Sequence, residues 1–333
     1  MPVPAILNQV AGYMAKVEAA YGTAETLTAA SDGIYPYLGD GLPSPPTALE
    51  YLFDGNIGRD VSTLFPAKRV APNGRGRKQD FPVLFKGAGT AYSGSIKPPR
   101  EVDLLLQAAG FDGTYSTKWD YTPTAAGTGY KSLTVGTYAQ GKAHIMAGAL
   151  ADWSFSFENL GVPTHTFALQ GIGALPTTLS LPSVTYQYTS IIPPVASGAT
   201  ITMGSWVAPV VKSGKFALNR NIGNARARIT AAGGHLGFVP GAMAPELTFS
   251  VEQSALVASP YHTSGGLDPD QLREAATAIT VSAAFGSTTT NRWSVTLANA
   301  QLTTVTPSAD DAVAMWDLTF RGTGSTAVTV TFD

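Results

Sequence analysis

His165-Thr166-Phe167-Ala168-Leu169-Gln170-Gly171-Ile172-Gly173 and Trp316-Asp317-Leu318-Thr319-Phe320-Arg321-Gly322-Thr323-Gly324 share one layout, and that repetition decides the fold. In each, alternating apolar residues describe a short half-buried strand that runs into a Gly-x-Gly stop. Upstream, Phe53-Asp54-Gly55-Asn56-Ile57-Gly58 answers Leu218-Asn219-Arg220-Asn221-Ile222-Gly223. Between these landmarks each half carries one helical segment, Val102 to Ala109 and Pro269 to Ala278. Each helix is followed by a β-rich run opening Leu133-Thr134-Val135 or Ile279-Thr280-Val281. The shared order implies a tandem duplication of a small β domain. The first copy is 1–174 and the second 199–333. A Pro-, Thr- and Ser-rich junction at 175–198 holds Val184-Tyr186-Tyr188, the expected first strand of the second domain. A catalytic site works as one copy, whereas a doubled domain suits a ring or a lattice.

Composition narrows the class. A chain of 333 residues exceeds what one compact core usually supports, so two domains are expected on size alone. Charged residues make up only 13%, which leaves a surface of hydroxyls and methyls that is cheap to desolvate and suits interfaces. A net charge of −2 argues against a dedicated nucleic-acid binder. Cysteine is absent, which removes disulfides, thiolate metal sites and thiol nucleophiles. The opening Met1-Pro2-Val3-Pro4 lacks a basic region and a long apolar core, so no signal peptide is expected, and no apolar run is long enough for a membrane helix.

Strand signals come in period two. Trp153, Phe155 and Phe157 alternate with Ser154 and Ser156, and Trp293, Val295 and Leu297 alternate with Arg292, Ser294 and Thr296. Val328, Val330 and Phe332 alternate with Thr329 and Thr331. One face is apolar and the other carries small hydroxyls, as in antiparallel sheets packed on one side. The helices carry end signals. Asp268 reads as an N-cap, with Pro269 in the first helical position, Gln271 three residues after the cap, and Leu267 and Leu272 placed for a staple. Capping accounts for the Asp268/Asp270 pair better than a metal site does. In the first half Pro98-Pro99 precedes the helix and Gly110 occupies a left-handed C-cap position. Val102, Leu105, Leu106 and Ala109 form a stripe that predicts one face laid over the end of a barrel.

Catalytic signals are few. His144, His165, His235 and His262 are scattered and none has a partner at metal-ligand spacing. There is no Gly-x-Ser-x-Gly elbow and no Walker-type glycine loop. Gly87-Ala88-Gly89 lacks the strand–helix context of a dinucleotide site and reads as a loop. Pro307-Ser308-Ala309-Asp310-Asp311 reads as a hairpin turn. These residues point to no enzyme, no cofactor and no metal.

One charge cluster stands apart. Lys68, Arg69, Arg75, Arg77 and Lys78 fall within Phe65 to Asp80, bracketed by Pro and Gly. Three readings are open: a solvated hairpin, a docking arm that contacts a neighbouring subunit, or a phosphate contact. The last is weakest, because no aromatic residue interleaves with the cations. The matching stretch of the second half, Arg226 to Pro240, is Gly-rich and less basic, so the copies have diverged there.

The opening Met14-Ala15-Lys16-Val17-Glu18-Ala19-Ala20-Tyr21-Gly22-Thr23-Ala24 resembles the start of tail tube proteins (major tail proteins) of long, non-contractile-tailed bacteriophages. Glu101-Val102-Asp103-Leu104-Leu105-Leu106-Gln107-Ala108-Ala109-Gly110-Phe111 resembles that family's barrel helix, with Ala109 where a cysteine often stands. Trp153 to Phe157 and Thr166 to Gly171 resemble its paired strands. The resemblance implies a mainly β fold of two tandem tail-tube-type β-barrel or sandwich domains, each flanked by a short α-helix. It implies rings of six such domains, stacked into a tube that conducts DNA to the host.

Two domains per chain would close a ring with three copies, a homotrimer, with a hexamer as the other closure. The implied partners are further copies and the tape measure, tail terminator and distal tail proteins. DNA would pass through the lumen without specific binding, and no membrane is involved. The implied location is the phage tail of the virion, assembled in the host cytoplasm. The basic stretch becomes a candidate inter-ring contact loop, and the lumen is expected to carry Thr, Ser, Gly and acidic residues with few unpaired Lys or Arg. Competing classes are a tail-tip hub or decoration protein that forms no long tube, and a carbohydrate-binding sandwich. The sandwich would need an exposed aromatic platform, whereas the tryptophans fall mainly within strand patterns.

Overall fold

The computed structural model describes residues 11–37, 50–51, 58–60, 68–70, 75–124, 130–139, 141–173, 177–204, 206–207, 209–222, 237–253, 269–324 and 327–333. In chain order the first half contributes β1 (Ala11–Val17), β2 (Glu50–Tyr51), β3 (Gly58–Asp60), β4 (Lys68–Val70), β5 (Arg75–Val83), helix α1 (Arg100–Ala108), β6 (Phe111–Tyr115), β7 (Trp119–Pro123), β8 (Leu133–Ala139), β9 (Lys142–Glu158), β10 (Thr164–Gly173) and β11 (Thr177–Thr178). The second contributes β12 (Thr200–Met203), β13 (Trp206–Val207), β14 (Val211–Ala217), β15 (Glu246–Glu252), helix α2 (Pro269–Glu274), β16 (Ile279–Phe285), β17 (Trp293–Asp310), β18 (Val313–Gly322) and β19 (Val328–Phe332). The protein is mainly β. Its strands form one large antiparallel sheet of 17 strands, with β3 and β4 as a separate ribbon.

The order of pairing repeats. In the first half β1, β8, β9, β10, β5 and β2 lie side by side. In the second, β12, β16, β17, β18, β15 and β14 do the same. A register shift falls between Leu133 and Val135 against β9, and another between Ile279 and Val281 against β17. These are the two runs that the sequence aligns. Such bulges are specific local features, so finding one at the same place in each half ties the sequence repeat to the backbone.

The halves share their interior. β14 pairs with the end of β9, and β19 pairs with β7. One cluster of buried side chains draws on both halves. Trp153 of β9 lies 4.6 Å between ring centroids from Phe216 of β14, Phe157 lies 5.0 Å from Phe285, and His165 lies 4.7 Å from Trp293. Aromatic rings carry large apolar areas, so burying them at this seam stabilises the contact between the halves.

The junction differs from the sequence expectation. Val184 to Tyr188 form no strand, and the second half starts its sheet at β12. The segment runs along the first half instead. The Thr185 N–H donates to the Ala29 carbonyl at 2.9 Å, and the Tyr186 ring meets Tyr35 edge-on at 5.2 Å. Alternating apolarity reports a face that packs, and it does so whether or not a ladder partner is present.

Helix α1 follows Pro99 and stops at Gly110, whose φ of 90° is left-handed. A side chain there would also collide, because a Cβ on Gly110 would lie 2.7 Å from the Met243 side chain and 3.0 Å from that of Arg220. The predicted stripe is buried, but so are Glu101, Asp103, Leu104 and Gln107. The helix is therefore wrapped on nearly all sides, not laid on by one face. Its polar groups find partners inside: Asp103 accepts from Tyr121 Oη at 2.8 Å and from Gln107 Nε2 at 2.9 Å. Helix α2 ends at Glu274, short of Ala278. Asp270 forms an ion pair with Arg273 at 3.3 Å, and Asp268 lies outside the described residues.

Glu101 gives a pH prediction. Burial pushes its carboxyl up to about 7, partly offset by the neighbouring Lys86. Burial in turn lowers the Lys86 ammonium. The folded protein therefore binds more protons than the unfolded chain between the ordinary Glu value and about 7, so this group's contribution to stability is lost as pH rises through that window. Glu101→Gln should melt at a higher temperature than the parent at pH 8, by up to about 3 kcal/mol in stability, and show no such gain at pH 4. Equal differences at both pH values would contradict the assignment.

Candidate assembly surface

Eight strands follow one another without a break: β17, β18, β15, β14, β9, β10, β5 and β2. They form a wall that crosses from one half to the other at the β14–β9 seam. Side chains of a strand alternate between faces, and paired residues share a face. The inner face of the wall carries Phe81, Trp153, Phe155, Phe167, Phe216, Leu247, Phe249, Leu318 and Phe320, all buried.

The opposite face is open and its composition differs sharply. One cross-strand row runs Thr164, Ser156, Lys215, Thr248, Thr319 and Thr304. The next runs Glu158, Ser213, Ser250, Asp317 and Thr306. Hydroxyls meet across strands, as where Thr248 Oγ1 lies 3.1 Å from Thr319 Oγ1. The charges scattered among them include Lys78, Lys215 and Arg321 against Asp80, Glu158, Glu246, Glu252 and Asp317. A shallow depression between Ser154, Thr166, Lys215 and Thr248 is part of the same face. Such a face is wet and mildly acidic, and among the described side chains no cluster of cations is placed on it to hold a polyanion.

The seam shows how one wall segment receives the next. Ser213 to Ala217 of β14 pair with Glu158 to Ser154 of β9. The Leu218 N–H donates to the Trp153 carbonyl at 2.8 Å, and the Asn159 N–H to the Lys212 carbonyl at 3.3 Å. Arg220, buried just beyond β14, donates through Nη1 to the Ala108 carbonyl at 2.7 Å, so a cation of the second half caps the C-terminus of α1. The glycine-rich patch belongs to the seam as well. The Gly87 N–H donates to Asn291 Oδ1 at 2.8 Å, and a Cβ on Gly87 would lie 1.7 Å from the Thr290 carbonyl. Gly87 is thus a close-packing point for the β16–β17 turn, an outcome that a glycine-rich loop signal alone does not reveal.

The remaining candidate residues separate. Lys68 and Arg69 lie on β4, which pairs with β3. Arg75, Arg77 and Lys78 lie on β5 within the wall, where Arg77 is opposite Gly171 and Lys78 opposite Gln170. The basic stretch is therefore divided between a ribbon and a wall strand, and is not one hairpin. His165 is fully buried, stacked 3.6 Å from the Phe85 ring, with Nδ1 accepting from Trp153 Nε1 at 3.3 Å. Burial holds its pKa well below the ordinary histidine value, so it is a neutral core residue. His144 lies on β9, and His235 and His262 lie outside the described residues. Among the described residues no group of three or more His, Cys, Asp or Glu side chains is placed to hold a metal ion. The hairpin turn falls at residues 311–312, later than the 307–311 expectation: Asp310 and Val313 are the closing pair, Asp311 is left-handed at φ 49°, and Pro307 to Asp310 stand inside β17.

No protein-family model matches the chain, and no curated protein matches it.

Proposed function

We propose that the chain is a structural subunit that polymerises, with three copies closing a ring and rings stacking into a tube that conducts DNA, as the tail tube resemblance implies. The observation that carries this reading is the eight-stranded wall. An even number of antiparallel strands leaves β17 and β2, its two ends, running in opposite directions. Joined head to tail, copies of the wall keep strict alternation and pair edges that would otherwise invite aggregation. The two halves act here as tandem tail-tube-type domains, and the β14–β9 seam is the joint between them.

The open face suits the lumen of such a conduit. Its hydroxyl rows stay hydrated, and its acidic excess repels phosphates, so DNA slides and does not bind. Partners in this reading are further copies and the proteins that begin and end the tail, and the place of action is the virion. Negative-stain microscopy of concentrated protein tests it: six-lobed rings or tubes are expected, and compact monomers at all concentrations contradict it. A hub or decoration protein would give a ring that never stacks.

Lys68 and Arg69 on the β3–β4 ribbon are the proposed contact between rings, whereas Arg75, Arg77 and Lys78 stand on β5 in the wall, Lys78 on its open face. Because the last three stand in a wall strand, the test neutralises charges and leaves the backbone in place. Lys68→Gln with Arg69→Gln should leave circular dichroism unchanged, shorten tubes and weaken their dependence on salt. Exposed pairs contribute about 0–1 kcal/mol each, so the effect accumulates over the ring and no single cation controls it. Tubes of normal length and salt response would remove the ribbon from the interface.

A further inference from the structure

The internal repeat identifies the counterpart of the seam. On β9 the backbone groups of Trp153 and Asn159 face β14, so the odd positions between them, Phe155 and Phe157, face the same way. β17 follows β9 in the repeat, with Leu302 opposite Phe320 as Ala151 is opposite Leu169. After the one-residue bulge between Leu302 and Thr304, Val305, Pro307 and Ala309 take the places of Trp153, Phe155 and Phe157. The hairpin geometry agrees. Asp310 and Val313 close a two-residue turn as a hydrogen-bonded pair, so Pro307 and Trp316 form a non-bonded pair. The backbone groups of Val305, Pro307 and Ala309 therefore point away from β18. Among the described residues no strand pairs with that edge of β17 beyond Ala300.

Proline stands where the internal seam has Phe155. It offers that edge a carbonyl and no N–H, and proline is tolerated in a strand only when its nitrogen faces away from the ladder. Inside the chain the joint carries a full ladder. On the outer edge of β17 a donor has been removed.

We propose that the outer edge of β17, Val305 to Ala309, docks the β2 end of the wall of a second copy of this chain, and that Pro307 makes this joint weaker than the internal one. The inference rests on the self-assembly reading and adds the edge, the partner and the residue that sets its strength. A weak edge keeps single chains apart and lets copies join only when several contacts form together, which is how native sheets restrain their edges. The Val305–Ala309 edge is also short, which limits irregular pairing.

Two variants of opposite sign test it, by light scattering across a concentration series. Pro307→Val restores a donor to the edge and should associate at about five-fold lower concentration than the parent, as one added hydrogen bond implies. Ala309→Pro removes a further outward N–H without touching the ladder to β18, so it should fold as the parent does and associate only at higher concentration. An Ala309→Pro protein that associates like the parent would overturn the proposal, as would a folded Pro307→Val protein with unchanged association. Microscopy of the same samples separates this from the broader reading. Normal rings from Ala309→Pro would retain the ring and reject the edge. Irregular oligomers from Pro307→Val, with no rings from any sample, would retain the edge and reject the ring.

Discussion

Replacing Glu18 by alanine is expected to cost about 3–5 kcal/mol, enough to unfold a domain of ordinary stability at physiological temperature. The Glu18 carboxylate is buried at the end of β1 and accepts four hydrogen bonds. Two come from backbone N–H groups, Gly22 and Gly148, each at 2.7 Å, and two from hydroxyls, Ser132 at 2.6 Å and Thr134 at 3.0 Å. These donors come from the Tyr21–Gly22 turn, the start of β8 and the bulge of β9, so one side chain ties three chain segments together. Alanine would leave four donors without an acceptor, three of them buried, and an unmade buried hydrogen bond costs more than a formed one contributes. Glu18→Gln should be intermediate, because its amide group turns a donor toward donors. Thermal melts of the two variants should fall in the order parent, Gln, Ala. An alanine variant within 0.5 kcal/mol of the parent would contradict the network's role.

Trp153→Ala is the second large effect. Its ring sits at the crossing of the halves, stacked on Phe167 at 5.9 Å and tilted against Phe216 at 4.6 Å, and its Nε1 donates to His165. Emptying that site should cost about 3–5 kcal/mol and leave the buried Nδ1 of His165 without its donor. The location of the damage is the informative part. Because β14 is hydrogen-bonded to β9 immediately beside Trp153, amide exchange should accelerate in β14 and β15 as well as in β9 and β10. Acceleration confined to the first half would mean that the halves fold independently, and that the seam is only a contact.

The repeat was legible because it is carried by features that leave a local trace: period-two strands, glycine stops and a helix with caps. Trp153, Phe155 and Phe157 read as a buried face and are one. What lay beyond the sequence was the relation between the halves. That Phe216 completes the first half's core depends on β14 crossing over, which no local pattern encodes. The basic stretch misleads for a similar reason. Lys78 looks like a loop residue because it is charged, yet an open sheet face accepts charge at every second position. Glu18 carried no signal of its own, since an acidic residue near a Tyr-Gly turn reads as surface. The proposed assembly surface was legible in kind, from the sparse charge and abundant hydroxyls. Its edges were not, because Pro307 reads as a turn residue until its register against Trp316 is known.

The mass of an isolated ring, measured in the native state on rings separated from tubes, tests the central claim most directly. Three chains per ring are expected, each supplying one eight-stranded wall and two of six lobes. Six chains in one layer would contradict the claim that each chain brings both halves of the repeat to the same ring.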